Sequence, residues 1–155
     1  LKGTNQTYRE LVLQLVKEPD GKMLNTLINI LGITKIEGVL NETGMTQTSL
    51  KDNTTSPKDM GILLQKLLEG TIISNVSRDN IFGFLTDGNG IPEGVSPEID
   101  VPHVYTKSGR VVNDAAIVKT QKPFILVLMS QGVITDQVNK FVPAISRIIY
   151  EYEKI

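Results

Sequence analysis

The 155-residue sequence predicts an α+β fold, in which helices come first, strands follow, and one helix closes the chain. Apolar residues recur at helical spacing through the first half, whereas three short β-rich runs, 101–112, 115–120 and 124–130, occupy the second. A final amphipathic run covers about 136–153. We therefore expect a single, incomplete domain over 1–155, with a helical subdomain over 1–86 and an antiparallel sheet with a terminal helix over 87–155.

Five helical segments are predicted in the first half from their periodicity and their end signals. They cover 7–16, 23–31, 34–44, 56–70 and a short stretch after 77. The first and third begin with a capping box, in which a threonine is followed three residues later by a glutamate. The fourth begins with a serine cap and a proline at the first helical position. Its apolar side chains, expected to face the core, are Leu63, Leu64, Leu67 and Leu68.

The second half is predicted to be a three-stranded meander with short turns at Asn113-Asp114 and at 121–123. The third run, FILVLMS (124–130), is entirely apolar, which suits a strand that is covered on both faces. An exposed apolar edge strand would invite aggregation. We therefore expect that another strand pairs with this run.

The composition argues against several classes of protein. Sixteen basic and 17 acidic residues give a net charge of −1 without a basic tract, so no nucleic-acid partner is expected. No window approaches 18 consecutive apolar residues, so no membrane span is predicted. The chain has no cysteine, which excludes a disulfide framework and a cysteine nucleophile. The single histidine, His103, is interpreted as ordinary strand or surface content, and no metal or organic cofactor is expected.

Four stretches carry a more specific signal. They are LNETGMTQTSL (40–50), DNTTSPKDMGILLQKLLEG (52–70), IPEGVSPEIDVPHVYTKSG (91–109) and NDAAIV with PFILVLMSQG (113–118 and 123–132). Together they resemble the class A β-lactamases and their penicillin-recognising relatives over nearly the whole chain. The resemblance implies a β-lactamase-like fold, acyl transfer through a serine without a cofactor, and export to where cell-wall peptides and β-lactams are met.

The nucleophile of that family is a serine in a Ser-x-x-Lys motif, and no serine in this chain has a lysine three residues on. The resemblance places the motif before Leu1. We therefore expect an upstream segment of about 100 residues, or a complementing chain, as a partner. In the family a helix bearing the serine lies between the two subdomains. Without it, the apolar faces at 23–31 and 63–68 are expected to lack cover.

Two other family motifs are altered. Where the family has Ser-Asp-Asn, this chain has Pro19, Asp20 and Gly21, so the proton-shuttling serine is lost and Asp20 is expected to be structural. The Glu-x-x-x-Asn loop that holds the deacylating water would lie between Leu50 and Thr54, where only Lys-Asp-Asn stands. An enzyme without that base is expected to stay acylated.

The family's Lys-Thr/Ser-Gly strand, which binds the substrate carboxylate, has two candidate registers here. One places Lys107, Ser108 and Gly109 at the triplet, and the lysine then attracts the anionic substrate. Tyr105 alternates with Lys107 and shares its face, where it either lines the cleft or packs in the core. The other register, without a gap, places 103–106 there, and the lysine is lost.

Two functions follow from the resemblance. The first is the C-terminal part of a β-lactamase-like serine hydrolase, which binds β-lactams or cell-wall peptides through a nucleophile outside this chain. On that interpretation the 155 residues alone are inactive. The second is a catalytically silent β-lactamase fold that serves as a binding or structural module. A generic α+β interaction domain is a third interpretation. A Ser-x-x-Lys motif upstream would favour the first.

Overall fold

The computed structural model of the chain describes residues 7–17, 21–85 and 89–154. Within these ranges lie six α-helices and a three-stranded antiparallel sheet, which confirms the predicted α+β order. The helices are α1 (Tyr8–Lys17), α2 (Gly21–Leu31), α3 (Ile33–Thr43), α4 (Pro57–Glu69), α5 (Asn75–Phe84) and α6 (Thr135–Glu153). The strands are β1 (His103–Ser108), β2 (Val111–Val118) and β3 (Phe124–Gln131), and a 3-10 helix (Ile91–Gly94) precedes them.

The chain divides into two compact units, residues 1–42 and 43–155. In the first unit, helix α1 begins with the predicted capping box. The Thr7 N–H donates to the Glu10 carboxylate at 2.7 Å, and the Glu10 N–H donates to Thr7 Oγ1 at 3.3 Å. The backbone bond from Thr7, with a smaller contribution from its hydroxyl, lowers the pKa of the Glu10 carboxyl. The proposed division into a helical part over 1–86 and a sheet part over 87–155 stays a prediction.

Helix α2 leaves part of its apolar face exposed. Leu24 and Leu31 are 40% and 51% exposed, whereas Leu27 is buried. Gly32 then ends the helix in the left-handed region, at φ 85°. Among the described residues no single helix is long and apolar enough to cross a membrane. Only α2 and α3 taken together, across a bend of 88°, satisfy the length and composition of a span, as buried core helices also do.

In the second unit the sheet has the order β1-β2-β3, with both neighbouring pairs antiparallel. Helix α4 covers one face, where Leu64 and Leu67 pack against Ala115 and Ile117 of β2. The expectation that the apolar face at 63–68 lacks cover is therefore wrong, because the sheet itself covers it. Helix α6 and the 3-10 helix cover the other face. The buried residues on that face include Ile91, Val112, Ala116, Val118, Leu126, Val138 and Val142.

The predicted end signals of α4 are confirmed. Ser56 Oγ accepts the Asp59 N–H at 3.1 Å, Pro57 is the first helical residue, and Gly70 ends the helix at φ 68°. Such a cap satisfies backbone groups that the helix itself leaves unpaired. Helix α5 begins earlier than predicted, because the side chain of Ser74 rather than a residue after 77 caps it.

The turn between β1 and β2 lies at Gly109-Arg110, not at the predicted Asn113-Asp114. Gly109 has φ 57°, which favours glycine. Asn113 and Asp114 instead lie within β2 and pair with Thr106 and Tyr105 of β1. The prediction was wrong because two adjacent polar residues suggest a turn unless a buried partner for one of them is known.

Candidate functional site

The side chains of β1 alternate between the two faces of the sheet. Lys107 pairs with Val112, which packs in the core beneath α6, and Val104 pairs with Ala115, which packs against α4. Paired residues of antiparallel strands project to the same face. Lys107 and Tyr105 therefore point to the α6 side of the sheet, and Val104 points to the α4 side.

A cavity of about 290 Å³ lies beside β1, and Tyr105 and Lys107 form part of its wall. The Tyr105 hydroxyl donates to Asn139 Oδ1 of α6 at 3.2 Å. The other residues lining the cavity are Asn89, Gly90, Glu93, Val112, Val138 and Val142. The wall thus combines the Lys107 ammonium and the Glu93 carboxylate with a phenol, amides and apolar side chains, a mixed lining that is typical of small-ligand sites.

A buried hydrogen-bonded pair supports the cavity wall. His103 Nδ1 donates to Asp114 Oδ1 at 2.8 Å, and both side chains are 0% exposed. The second carboxylate oxygen accepts the Ile91 N–H at 2.7 Å, which ties the 3-10 helix to the sheet. Gly90 packs so closely that an added Cβ would collide with this carboxylate. The pair therefore fixes the position of Gly90 and the 3-10 helix, which line the cavity beside Tyr105.

His103 is strand content, as one half of its interpretation expected, since it is the first residue of β1. The other half, surface content, is wrong, because its side chain is fully buried and paired with Asp114. The misplaced turn hid this pair in the sequence. With the turn at Gly109-Arg110, Tyr105 lies opposite Asp114, and His103 shares the face of Tyr105 two residues away. A histidine and an aspartate at that diagonal position are close enough to bond.

The predicted Lys-Ser-Gly triplet lies at the end of β1. Lys107 lines the cavity, Ser108 is the last residue of the strand, and Gly109 begins the turn. The side chain of Ser108 and the whole of Asp20 lie outside the described residues. The structure thus brings Tyr105 and Lys107 to one cavity, and the role of the triplet in binding substrate stays a prediction.

The segment that is expected to stand in place of a Glu-x-x-x-Asn loop is short and closed. Ser49 and Thr54 form an antiparallel bridge with N–H to carbonyl distances of 2.9 and 3.0 Å. Ser49 Oγ donates to the Asp52 carboxylate at 2.7 Å, and Asn53 adopts a left-handed φ of 51°. The four residues between the bridge positions contain no glutamate.

A buried carboxylate anchors the same segment to α4. Asp59 accepts the Gln47 N–H and the Thr48 hydroxyl, both at 2.7 Å, through one oxygen. Asp59 is 0% exposed. Among the residues that the structure describes, no group of three or more His, Asp or Glu side chains is placed to hold a metal ion. Asp52 and one oxygen of Asp59 thus each accept hydrogen bonds from residues 47–49 of this segment.

Comparison with known proteins identifies a family and a fold. A profile of the β-lactamase enzyme family matches residues 2–153. The structure of PBP-A is 22% identical, with a TM-score of 0.84, over 100% of this chain and 65% of that chain. An L158E variant of PBP-A, solved as an acyl-enzyme complex with penicillin G, is 23% identical with a TM-score of 0.86 over the same shares.

A β-lactamase from Burkholderia vietnamiensis is 22% identical, with a TM-score of 0.79, over 96% of this chain and 65% of that chain. The chain thus spans about two thirds of the length of these structures. A search of curated protein sequences finds no significant match. At these identities the structural likeness establishes the fold alone.

Proposed function

The chain belongs to the β-lactamase enzyme family, and we propose that it forms the sheet half of a serine acyl-transfer site. In this proposal β-lactams acylate the serine, and the acyl group is released slowly. The nucleophile lies outside residues 1–155 in this proposal, because no serine of the chain has a lysine three residues on. The acyl-enzyme of the PBP-A variant with penicillin G supports the choice of a β-lactam as the acylating compound.

The chemistry requires two steps with different needs. In the first, a serine oxygen attacks the lactam carbonyl, the ring C–N bond breaks, and the leaving nitrogen takes up a proton. Lys107 would attract the substrate carboxylate to the end of β1, beside Tyr105. Pro19, at the position of the shuttle serine, has no hydroxyl proton to give, so acylation would be slower than in relatives that keep that serine.

The proposal of slow release rests on the second step, hydrolysis of the acyl-enzyme. Hydrolysis of the acyl-enzyme needs a base that activates water, typically a carboxylate within hydrogen-bonding reach. The bridge between Ser49 and Thr54 closes the segment where the family has its glutamate, and the Asp52 carboxylate in it is engaged by Ser49. This closed segment is the single observation that favours penicillin binding over penicillin destruction.

The test is to label the complete protein, as the cell makes it, with a fluorescent penicillin and to map the adduct by peptide mass. The proposal predicts one covalent adduct, on a serine outside residues 1–155. An adduct on a serine within 1–155 would contradict the assignment of the nucleophile. Folded complete protein without any adduct would contradict acylation itself.

A catalytically silent binding or structural module is the second candidate, and the orientation of β1 favours it. The family's nucleophile lies between the helical part and the sheet, whereas Lys107 points to the α6 side. Towards α4 the strand presents Val104 and Thr106, which carry no charge. In that case the ungapped register of the strand would hold, and the labelling experiment would give no adduct.

We further propose that the protein works outside the cytoplasm, where β-lactams and cell-wall peptides are encountered. Family membership supports this location. Cell fractionation with an antibody against the complete protein tests it. Recovery in the periplasmic or extracellular fraction is expected, and recovery with the cytoplasmic fraction alone would contradict it.

A further inference from the structure

We infer that Glu93 selects substrates that carry a cationic group beside their carboxylate. Glu93 and Lys107 both line the cavity beside β1. The inference rests on the proposed function, in which Lys107 attracts the carboxylate of the substrate. It adds a second charged contact at the same cavity and thereby names the preferred substrate class, which is a zwitterionic β-lactam.

The cavity combines an apolar floor with a polar rim. Its floor consists of Val112 of β2 and of Val138 and Val142 of α6, all of which are buried. Four exposed polar residues also line the cavity, namely Asn89, Glu93, Lys107 and Asn139. Its volume of about 290 Å³ lies just below the range of about 300–1,000 Å³ that is usual for ligand sites. The cavity therefore suits the charged end of a substrate rather than the whole molecule.

The two charged residues in this lining have opposite signs and are not paired with each other. The ion pairs within the described part of the chain involve neither Lys107 nor Glu93. A purely anionic ligand would be attracted by Lys107 and repelled by Glu93. A zwitterion would gain the attraction of both residues. The charges of the cavity therefore favour a ligand that carries one group of each sign.

The backbone on both sides of Glu93 is held in place by the rest of the fold. Before it, the Ile91 N–H donates to the Asp114 carboxylate at 2.7 Å. After it, Gly94 lies so close to α6 that an added Cβ would be 2.3 Å from the Pro143 carbonyl oxygen. The 3-10 helix therefore presents the Glu93 side chain from a fixed position, and such preorganisation lowers the cost of binding a ligand.

A hydrogen bond between β1 and α6 prepares a further contact for the anionic end of the ligand. The Tyr105 hydroxyl donates to Asn139 Oδ1 at 3.2 Å, and both residues line the cavity. An amide whose oxygen is engaged in this way presents its NH₂ group as a donor. A carboxylate beside Lys107 is suited to accept from that group. Lys107 and Asn139 thus serve the anionic end, and Glu93 serves the cationic end.

The substrate class that fits is a cephalosporin with a quaternary ammonium group close to its carboxylate. In such compounds the cationic substituent is attached to the ring carbon next to the one that bears the carboxylate, so the two charges lie close together. A quaternary ammonium has no hydrogen to donate. Glu93 would therefore act on it by charge alone, and its effect should weaken as the salt concentration rises.

The experiment compares two cephalosporins that share one acyl side chain. Cefepime has an N-methylpyrrolidinium substituent next to the carboxylate-bearing carbon, and cefotaxime has an uncharged acetoxymethyl group there. Intact mass gives the rate at which each compound acylates the complete protein. The readout is the ratio of the cefepime rate to the cefotaxime rate, compared between variants so that the intrinsic reactivities cancel. We expect Glu93→Gln to lower this ratio about two- to fivefold, as for the loss of an exposed ion pair.

Glu98→Gln is the matched control, since Glu98 is also exposed but does not line the cavity. It should leave the ratio unchanged. Glu93→Lys should lower the ratio further than Glu93→Gln, because it replaces attraction by repulsion. Added salt should bring the ratio of the unsubstituted protein towards that of Glu93→Gln. An unchanged ratio in Glu93→Gln, or an equal fall in Glu98→Gln, would overturn the inference.

Failure of acylation is distinguishable from failure of this inference. If neither compound leaves an adduct, the proposed acylation is refuted, and equilibrium dialysis of the same two compounds measures their binding without chemistry. The ratio of their affinities should still fall about two- to fivefold in Glu93→Gln. An affinity ratio that the substitution leaves unchanged would overturn the selection by Glu93 as well.

Discussion

Replacing Asp114 with alanine should remove a large part of the stability of the complete protein. The Asp114 carboxylate accepts the His103 Nδ1 hydrogen at 2.8 Å and the Ile91 N–H at 2.7 Å, and the His103 and Asp114 side chains are 0% exposed. Water cannot replace either bond at a site that is closed to solvent. The substitution leaves two buried polar groups without their acceptor.

The expected size of the loss follows from these two bonds. A hydrogen bond to a charged partner contributes about 1.5–3 kcal/mol, and breaking a buried pair by removing one member costs about 3–5 kcal/mol. We therefore expect a loss of about 3–5 kcal/mol in the free energy of unfolding, against a typical total of about 5–15 kcal/mol. Asp114→Asn keeps a side-chain acceptor and should lose less.

Urea denaturation of the complete protein measures this loss, and Asp100→Ala is the matched control. Asp100 also forms an ion pair, with Lys119 at 2.7 Å, but its side chain is 58% exposed. An exposed pair contributes about 0–1 kcal/mol. If Asp114→Ala costs no more than Asp100→Ala, the buried pair does not hold the 3-10 helix to the sheet, and the reasoning is refuted.

Three further outcomes are expected. Gly94→Ala should lower the thermal unfolding temperature, because an added Cβ at 94 meets backbone of α6, whereas Gly61→Ala, inside α4 with open space around it, should not lower it; equal losses would contradict the close packing at Gly94. The pKa of Glu10 is lowered by folding, so its stabilising effect should be present above the pKa of the unfolded chain and lost as the pH falls through the folded value. NMR titration should give a midpoint below that of an unfolded peptide, and Glu10→Gln should abolish this pH dependence of α1. Lys107→Ala should slow acylation by penicillin about 10- to 100-fold, as expected for loss of a charge-assisted bond, whereas Lys122→Ala should not; equal rates would remove Lys107 from the site.

The helices could be predicted well where local signals decide their ends. Ser56, Pro57 and Gly70 fix the ends of α4 because capping and backbone φ are properties of a few adjacent residues. The same holds for the capping box at the start of α1. Periodicity likewise located α6, although it could not show that one row of its apolar residues is buried and the neighbouring row is exposed.

The candidate site depends on long-range pairing, which local signals do not contain. The polar pair Asn113-Asp114 resembles a turn until Asp114 is seen to accept hydrogen bonds from His103 and Ile91. Likewise, Lys107 could be assigned to a strand, but the side of the sheet that it faces depends on the register between β1 and β2. A shift of one residue would exchange the faces of all side chains on the strand.

The central claim is that this protein is acylated on a serine outside residues 1–155 and that the acyl group is then released slowly. The most direct measurement is the intact mass of the complete protein during incubation with benzylpenicillin, with the consumption of free penicillin followed in parallel. The claim predicts one adduct per protein that persists after free penicillin is removed, with consumption that stops near one equivalent. Continued catalytic consumption without an accumulated adduct would contradict slow release, and an unchanged mass would contradict acylation.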